Sequence, residues 1–179
     1  MPDSETLVIN GWAIYAHSLF LNQLENLIQT VEQLKIKDPK CYKKKNAAKR
    51  LYAINKLAFE NIPQDPTLDK YRQGGTLGNE RKHWFRGKFH QQYRLFFRYH
   101  KEAQIIIYAW INDRKTLRAY NSKTDAYKVF ADMLDDGNPP DDWNKLLEIT
   151  QKEQARLDEI INHGRAKKAS TPQAIVEYP

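Results

Sequence analysis

Residues 81–111 read RKHWFRGKFHQQYRLFFRYHKEAQIIIYAWI, and the alternation within this stretch decides the fold. Phe85 and Phe89 alternate with Arg86 and Lys88, and the apolar side chains at 93, 95, 97 and 99 alternate with Arg94, Phe96 and Arg98. This is the two-residue period of β-strands. The polar segment 90–92 between them predicts a tight hairpin. Residues 104–111 are almost wholly apolar and rich in isoleucine, as expected of a strand buried on both faces. The stretch therefore predicts three consecutive strands of an antiparallel sheet.

Helical patterns surround these three strands. Residues 7–15 first predict an opening strand with a bend or bulge at Gly11. Apolar residues at helical spacing between 20 and 59 then predict two helices, of which the second starts at Asp38–Pro39. Further helices are predicted from about Thr124 to Asp135 and from Asp141 to about Asn162. This order predicts an α+β domain in which an N-terminal αα-hairpin and C-terminal helices pack on a small antiparallel sheet.

The size and charge of the chain limit its function. At 179 residues it can form one domain with a substantial core, which we assign to residues 1–163, followed by a flexible basic and polar tail at 164–179. The 29 Lys and Arg residues outnumber the 22 Asp and Glu residues and leave a net charge of +7. This balance suits a polyanionic partner such as nucleic acid, although a soluble protein with a merely basic surface would have the same charge.

Some functional classes do not fit the sequence. Cys41 is the only cysteine, so neither an internal disulfide nor a thiolate metal cluster can form. The N-terminus is acidic and lacks an apolar signal region, and the longest apolar run, Ile105–Ile111, is too short to span a bilayer. Metal-ligand spacings and phosphate-binding loops do not occur. We therefore expect a cytoplasmic protein that needs no metal, cofactor or membrane.

One stretch, 81–101, contains no acidic residue. Strand alternation places Arg86 and Lys88 on one face of their strand. It likewise places Arg94 and Arg98 on one face of the next strand, with aromatic side chains opposite as core. Such a cationic face suits RNA, because arginine forks match phosphate geometry and exposed rings stack on bases. A sheet that simply shows its charges to solvent would have the same pattern.

A second basic segment and two histidines leave further alternatives open. The lysine-rich segment 35–50 is either a solvated helix face or a stripe that attracts phosphates regardless of sequence. His83 and His90 lie within the acid-free stretch, and a pair of histidines could cleave RNA by acid–base chemistry. They could also be ordinary surface residues.

Six motifs resemble those of YhaV-type toxins and occur in the same order along the chain. They are NGWAIYAH at 10–17, YRLFFRY at 93–99, WIND at 110–113, TLRAY at 116–120, KTDAYKVF at 123–130 and PPDDW at 139–143. The resemblance covers residues 8–150. YhaV-type toxins belong to type II toxin–antitoxin pairs with a PrlF-type antitoxin, and to the RelE-like superfamily of ribonucleases.

This resemblance implies a function, partners and site residues. RelE-like enzymes are metal-independent endoribonucleases that inhibit growth, need no cofactor and use the 2′-hydroxyl of the RNA as nucleophile. The implied partners are RNA (mRNA, on the ribosome or free), the antitoxin, and promoter DNA bound by the toxin–antitoxin complex. The implied catalytic residues are Arg86, Lys88, Arg94, Arg118 and Tyr127, with Tyr120 as the alternative tyrosine. The implied RNA-binding residues are Lys82, Arg98, Asn112 and Tyr120.

Each implied catalytic residue has a chemical task. Arg86 and Arg94 would stabilise charge on the phosphorus oxygens, because guanidinium groups stay charged and fork onto phosphate. Lys88 would act as base if neighbouring arginines disfavour its protonated form. Tyr127 would act as base or acid, unless it is only a core tyrosine of its helix. The alternative function is that of a non-enzymatic nucleic-acid-binding regulator, which a basic surface supports equally well.

Overall fold

Five strands form one mixed sheet in the computed structural model, which describes residues 6–170 and the side chains of residues 6–163. In chain order the strands are β1 (Leu7–Ile9), β2 (Trp12–Ala16), β3 (Phe85–Phe89), β4 (Tyr93–His100) and β5 (Ile105–Ile111). Across the sheet they are ordered β1-β2-β5-β4-β3. The three strands predicted from residues 81–111 are confirmed, and the central strand β5 is buried along nearly its whole length.

One strand pair differs from the predicted sheet. β2 runs parallel to β5, with Ala13 opposite Ile105 and Ala16 opposite Tyr108. The other three pairs are antiparallel. The α+β class is confirmed, but the prediction of a wholly antiparallel sheet is wrong at this pair. The strand period reveals which residues are extended, whereas it does not reveal which distant strand they pair with.

The chain opens with a β-hairpin where the sequence predicted one bent strand. Asn10 and Gly11 have φ values of 51° and 85°. Two successive positive φ values form the two-residue turn that matches the twist of antiparallel strands, and Asn-Gly adopts it readily. Leu7 therefore pairs with Ile14, which makes β1 an edge strand and β2 an inner strand.

Two helices follow β2 and form the predicted αα-hairpin, namely α1 (Ser18–Lys37) and α2 (Asn46–Lys56). The second helix begins later than predicted, because Asp38 closes α1 by donating its backbone N–H to the Leu34 carbonyl. A 3-10 turn, Tyr42–Lys44, links the two helices. Beyond α2 the chain passes through a π-helical turn, Leu57–Asn61, into the short helix α3 (Ile62–Gln64).

Three helices complete the fold, namely α4 (Ala126–Asp135), α5 (Trp143–Gln151) and α6 (Gln154–Ser170). The single helix predicted for 141–162 is two helices, because the chain turns at Lys152 and Glu153. The predicted tail at 164–179 begins within α6, and its residues 171–179 lie outside the described residues. Within 6–170, no helix is long and apolar enough to cross a membrane.

A hydrophobic core lies on each face of the sheet. On one face, α1 and α2 pack over a core that includes Phe20, Leu24, Ile54, Leu57, Phe97 and Tyr108. On the other face, α4 and α5 pack over Trp84, Phe96, Trp110, Phe130 and Leu146. Phe96 stacks on Phe130 with ring centres 4.3 Å apart. Because Phe96 alternates with Arg94 and Arg98, the strand face predicted to be cationic is in large part a second core.

Candidate active site

The hydroxyl group of Tyr127 lies between two arginine side chains. Asp125 caps α4 and accepts a hydrogen bond from the Tyr127 backbone N–H (3.1 Å), which sets the first turn of the helix against the sheet. The Tyr127 hydroxyl oxygen accepts from Nε of Arg86 (2.9 Å) and from Nε of Arg94 (3.2 Å). Since both bonds use oxygen lone pairs, the hydroxyl proton is available to a further partner.

Backbone carbonyl groups hold the two arginines in place. Nη1 of Arg86 donates to the Lys70 carbonyl (2.7 Å). Nη1 of Arg94 donates to the carbonyls of Gln91 (2.7 Å) and Tyr93 (2.9 Å). Arg86 is 9% exposed and Arg94 is 7% exposed, so the prediction that they lie on an open cationic face is wrong.

Within the described residues, neither of these buried arginines has an acidic partner. Among residues 6–163, no carboxylate pairs with Arg86 or Arg94, and no acceptor takes a hydrogen bond from either Nη2 atom. A buried cation without a counter-charge is costly, and two that share one phenol oxygen also repel each other. A phosphate placed against the two Nη2 atoms would offset both costs, which makes this pair a candidate phosphate site.

Arg118 joins the group from the loop before α4. Its guanidinium carbon lies 4.6 Å from the centre of the Tyr127 ring and 4.0 Å from that of Tyr120. Its Nη1 also pairs with the Asp125 carboxylate at 2.5 Å. Burial raises the pKa of Asp125, but the hydrogen bond and charge of Arg118 and the backbone N–H groups of Ala119 and Tyr127 together outweigh this effect, so that pKa lies below its usual value. We refer to Arg86, Arg94, Arg118 and Tyr127 as the Tyr127 cluster.

Two further predicted residues, Tyr120 and Lys88, are exposed and lie beside the Tyr127 cluster. Tyr120 is 81% exposed and rests one ring face on Arg118, which leaves its other face able to stack on a base. Lys88 is exposed and lies directly opposite Arg94 in the β3–β4 pair, so both side chains are on the same sheet face. The cluster thus combines a phenol, three guanidinium groups and a nearby amine.

The predicted RNA-binding residue Asn112 has a structural task instead. It is buried, and its Oδ1 accepts from the Arg94 backbone N–H (2.7 Å). Its Nδ2 donates to the carbonyls of Gln92 (3.0 Å) and Thr116 (2.8 Å). The amide is therefore fully used in joining the β3–β4 turn to the loop after β5.

Arg98 and Lys82 lie apart from the Tyr127 cluster. The Arg98 guanidinium is between the rings of Trp84 and Trp143, at 5.5 and 5.2 Å from their centres, and donates to the Asp141 carbonyl (2.6 Å). Burial lowers the pKa of Arg98. Its contacts join α5 to the sheet, which is a structural role. Lys82 is exposed and lines a separate cavity beside Phe85.

Comparison with known proteins shows the family of this chain. Residues 14–151 match the family profile Toxin_YhaV, described as a toxin with endonuclease activity, of toxin-antitoxin system. The chain is 45% identical over 146 residues to Ribonuclease toxin YhaV of Escherichia coli, across 80% of this chain and 95% of the relative. Toxin YhaV of another Escherichia coli strain has the same identity and coverage.

This chain belongs to the YhaV toxin family. It is therefore a toxin with endonuclease activity that acts within a toxin–antitoxin system. No solved structure shows significant similarity to it.

In this YhaV-family toxin, His83 and His90 do not form a catalytic pair. Nε2 of His83 lies 2.8 Å from Oδ1 of Asp141, which also accepts from the indole N–H of Trp84 (2.6 Å). His90 lies in the turn at the opposite end of β3. An extended strand separates them by roughly 20 Å, which is too far for both to act on one phosphate.

A third histidine, His17, should make the stability of the toxin depend on pH. It is buried at the start of α1, where Nδ1 accepts from the Leu19 N–H, and burial lowers its pKa from 6.5 to about 4. As the pH falls through this window, the unfolded state binds the proton before the folded state does, so the free energy of unfolding decreases.

Between pH 6.5 and pH 4, we expect the free energy of unfolding to fall by about 3 kcal/mol more in the parent protein than in the His17→Asn variant. The asparagine keeps a hydrogen-bond acceptor at the N-cap. Denaturant titrations of the two proteins across the pH range measure the difference. Equal decreases in both would show that His17 is not the group responsible.

Sequence reasoning missed several groups that shape this site. Asp125 neutralises Arg118 and caps α4, whereas the sequence pattern placed it inside a helix that starts at about Thr124. The carbonyls of Lys70 and Gln91 hold the two buried arginines. Every residue has a backbone carbonyl, so the sequence does not indicate which ones accept these hydrogen bonds. In the part of the chain that the structure describes, no group of three or more His, Cys, Asp or Glu side chains could hold a metal ion.

Proposed function

We propose that this toxin is an endoribonuclease that cleaves RNA without a metal ion, through attack of the RNA's own 2′-hydroxyl on the adjacent phosphorus. The observation that carries the proposal is the phenol of Tyr127 held between two buried arginines without acidic partners. RNA as the substrate is supported by the name of the relative, Ribonuclease toxin YhaV. A bond forms between the 2′-oxygen and phosphorus while the bond to the 5′-oxygen breaks, which leaves a 2′,3′-cyclic phosphate and a 5′-hydroxyl.

The residues around the phosphate divide the chemistry among them. The Nη2 groups of Arg86 and Arg94 stabilise the charge that builds up on the phosphorus oxygens. The Tyr127 hydroxyl donates its proton to the departing 5′-oxygen, and Lys88 is the group that takes the proton of the 2′-hydroxyl. Arg118 positions the two tyrosine rings, and Tyr120 stacks on a base beside the cleaved bond.

Incubation of the pure protein with single-stranded RNA in excess EDTA tests this function. We expect fragments that end in 2′,3′-cyclic phosphate, and no cleavage at positions where a 2′-deoxynucleotide replaces the attacking ribonucleotide. Fragments that appear only after addition of a divalent cation would refute metal independence. Intact RNA with a salt-sensitive mobility shift would instead favour the non-enzymatic nucleic-acid-binding regulator.

The proposed partners follow from the same function. The antitoxin of this system would be of the PrlF type, and the toxin–antitoxin complex would bind its promoter DNA. The RNA substrate would be mRNA in the cytoplasm, on the ribosome or free. The net charge of +7 supports the two nucleic-acid partners, RNA and promoter DNA.

A further inference from the structure

A cationic groove lies on the other side of the β3–β4 turn from the Tyr127 cluster. It is a cavity of about 370 Å³, within the size range of ligand sites. Three elements meet there: the first half of α2, the β3–β4 turn and the loop after β5. The lining residues are Asn46, Lys49, Arg50, His90, Tyr93 and Arg114, and we call this cavity the α2 groove.

Within the described residues, the cations of the α2 groove form no ion pair. None of its lining residues is acidic, and in the described part of the chain no carboxylate pairs with Lys49, Arg50 or Arg114. Asp113 lies in a neighbouring cavity that shares Arg50, but it does not line the α2 groove. Its carboxylate accepts hydrogen bonds from Gln23 and Thr116 and forms no ion pair with Arg50 or Arg114. Three unpaired cations around one concave surface attract an anion.

The start of α2 adds to this positive potential. The N-cap residue Lys45 makes no side-chain capping bond, and the first turn of α2 contains no acidic residue. The positive end of the helix dipole therefore lies close to the positive charges of Lys49 and Arg50. This repulsion destabilises the helix unless an anion binds. Lys45 itself is 4.0 Å from Asp38, outside the groove.

The ring of Tyr93 shows which part of a nucleotide the groove would bind. The Arg50 guanidinium carbon lies 5.4 Å from its centre, and Arg50 Nη1 also donates to its hydroxyl (3.3 Å). Its ring also stacks on Phe89, with centres 5.3 Å apart. With the ring engaged by both neighbours, the groove offers cations rather than a stacking surface, which suits phosphates and not bases.

The β3–β4 turn separates the α2 groove from the Tyr127 cluster by a narrow ridge. His90 lines the groove, while the carbonyl of the next residue, Gln91, holds Arg94 in the cluster. Tyr93 and Arg94 are likewise neighbours in the chain whose side chains point to opposite sheet faces. A polyanion in contact with the cluster can therefore reach the groove by crossing only this turn.

We propose that the α2 groove binds the phosphate backbone of the RNA next to the cleaved bond, so that the strand crosses the β3–β4 turn. This inference rests on the proposed ribonuclease function. The groove acts on the backbone alone, so it contributes affinity without sequence preference.

The test compares two double variants with equal loss of charge. Lys49→Gln with Arg114→Gln removes two exposed cations of the groove, and Lys145→Gln with Lys152→Gln removes two exposed cations at α5 as the control. The probe is a single-stranded RNA that carries 2′-fluoro groups throughout and cannot be cleaved. Its affinity is measured against salt concentration, so this part of the test does not depend on catalysis.

We expect the groove variant to bind the probe roughly tenfold more weakly at 0.1 M salt, with a slope of log K against log salt reduced by about 1.4. The control variant should keep the slope of the parent protein. With a long cleavable RNA, the groove variant should show a KM raised roughly tenfold and kcat within about twofold, because it loses backbone contacts away from the reacting bond. With a dinucleotide that spans only the cleaved bond, neither variant should differ from the parent.

Three results would overturn the inference. In the first, the groove variant binds the probe as the control variant does. In the second, its kcat for long RNA falls while KM is unchanged. In the third, it loses salt-sensitive binding of poly-glutamate but keeps the RNA affinity of the parent, which would identify a docking surface for an acidic protein. A parent protein that binds the probe through this groove but cleaves no RNA would refute the proposed function alone.

Discussion

Replacement of Tyr127 by phenylalanine should lower kcat for RNA cleavage roughly 10²–10⁴-fold, the range expected for loss of a general acid. The phenol oxygen lies between Nε of Arg86 and Nε of Arg94, so its proton can face the phosphate that these arginines attract. The phenylalanine ring keeps the edge contact with Phe96, whose ring centre is 5.4 Å away. The variant should therefore fold, at a cost of about 1–3 kcal/mol for the two unpaired Nε donors.

A substrate with a different leaving group distinguishes a role of Tyr127 as general acid from a structural role. With a sulfur atom in place of the 5′-oxygen, the departing thiolate needs no proton, and the loss caused by Tyr127→Phe should shrink to about tenfold or less. Tyr120→Phe is the matched control, because it removes the hydroxyl of an exposed neighbour and keeps the ring on Arg118. An equal loss with the oxygen and sulfur substrates would mean that Tyr127 is not the acid.

Arg94→Ala should reduce kcat/KM by roughly 10²–10³, the scale of one lost donor to the transition state. Arg94 is held by the carbonyls of Gln91 and Tyr93, so its Nη2 is already oriented before RNA binds. Arg94→Lys should recover only part of the activity, because an ammonium keeps the charge but loses the fork. Steady-state kinetics with a fluorescent RNA gives these values.

Arg98→Ala is the control for Arg94→Ala. Arg98 lies on the same strand and face, about 13 Å further along, and contacts Trp84 and Trp143. Its loss should lower the stability of the fold and leave kcat within a few-fold. Added guanidinium ion should restore part of the rate to Arg94→Ala and none to Arg98→Ala. A folded Arg94→Ala variant with the parental rate would exclude Arg94 from the site.

The strands around the site could be predicted from the sequence because the two-residue period of a strand involves only residues that are close together in the chain. Residues 85–89 and 93–99 follow a two-residue period that only Phe96 interrupts, and the turn at 90–92 fixes their register, which brings Lys88 opposite Arg94. The period could not reveal that a helix covers this face. Phe96 was the one sequence feature that pointed to this covering helix, because it is an aromatic residue between two arginines on the face predicted to be cationic. Its packing partner, Phe130, lies on α4, far along the chain, so the local pattern could not identify it.

Tyr127 was predicted as a site residue from the family resemblance and not from the periodicity of the sequence. Tyr127 is in line with Phe130 on α4, so helical period alone marks it as a core residue. Only the position of α4 against β3 and β4 shows that its hydroxyl meets Arg86 and Arg94. Asn112 and Arg98 were also expected to contact RNA, but in the structure their side chains form hydrogen bonds to other parts of the protein.

The order in which the groups of the Tyr127 cluster occur along the chain bears on synthesis of the toxin. Arg86 and Arg94 belong to the sheet, but Arg118 and Tyr127 follow the last strand, β5. A nascent chain that has completed all five strands therefore still lacks the phenol and the arginine that positions it. If Tyr127 is the acid, full cleavage activity arises only after α4 has been translated, so the growing polypeptide is harmless through most of its elongation.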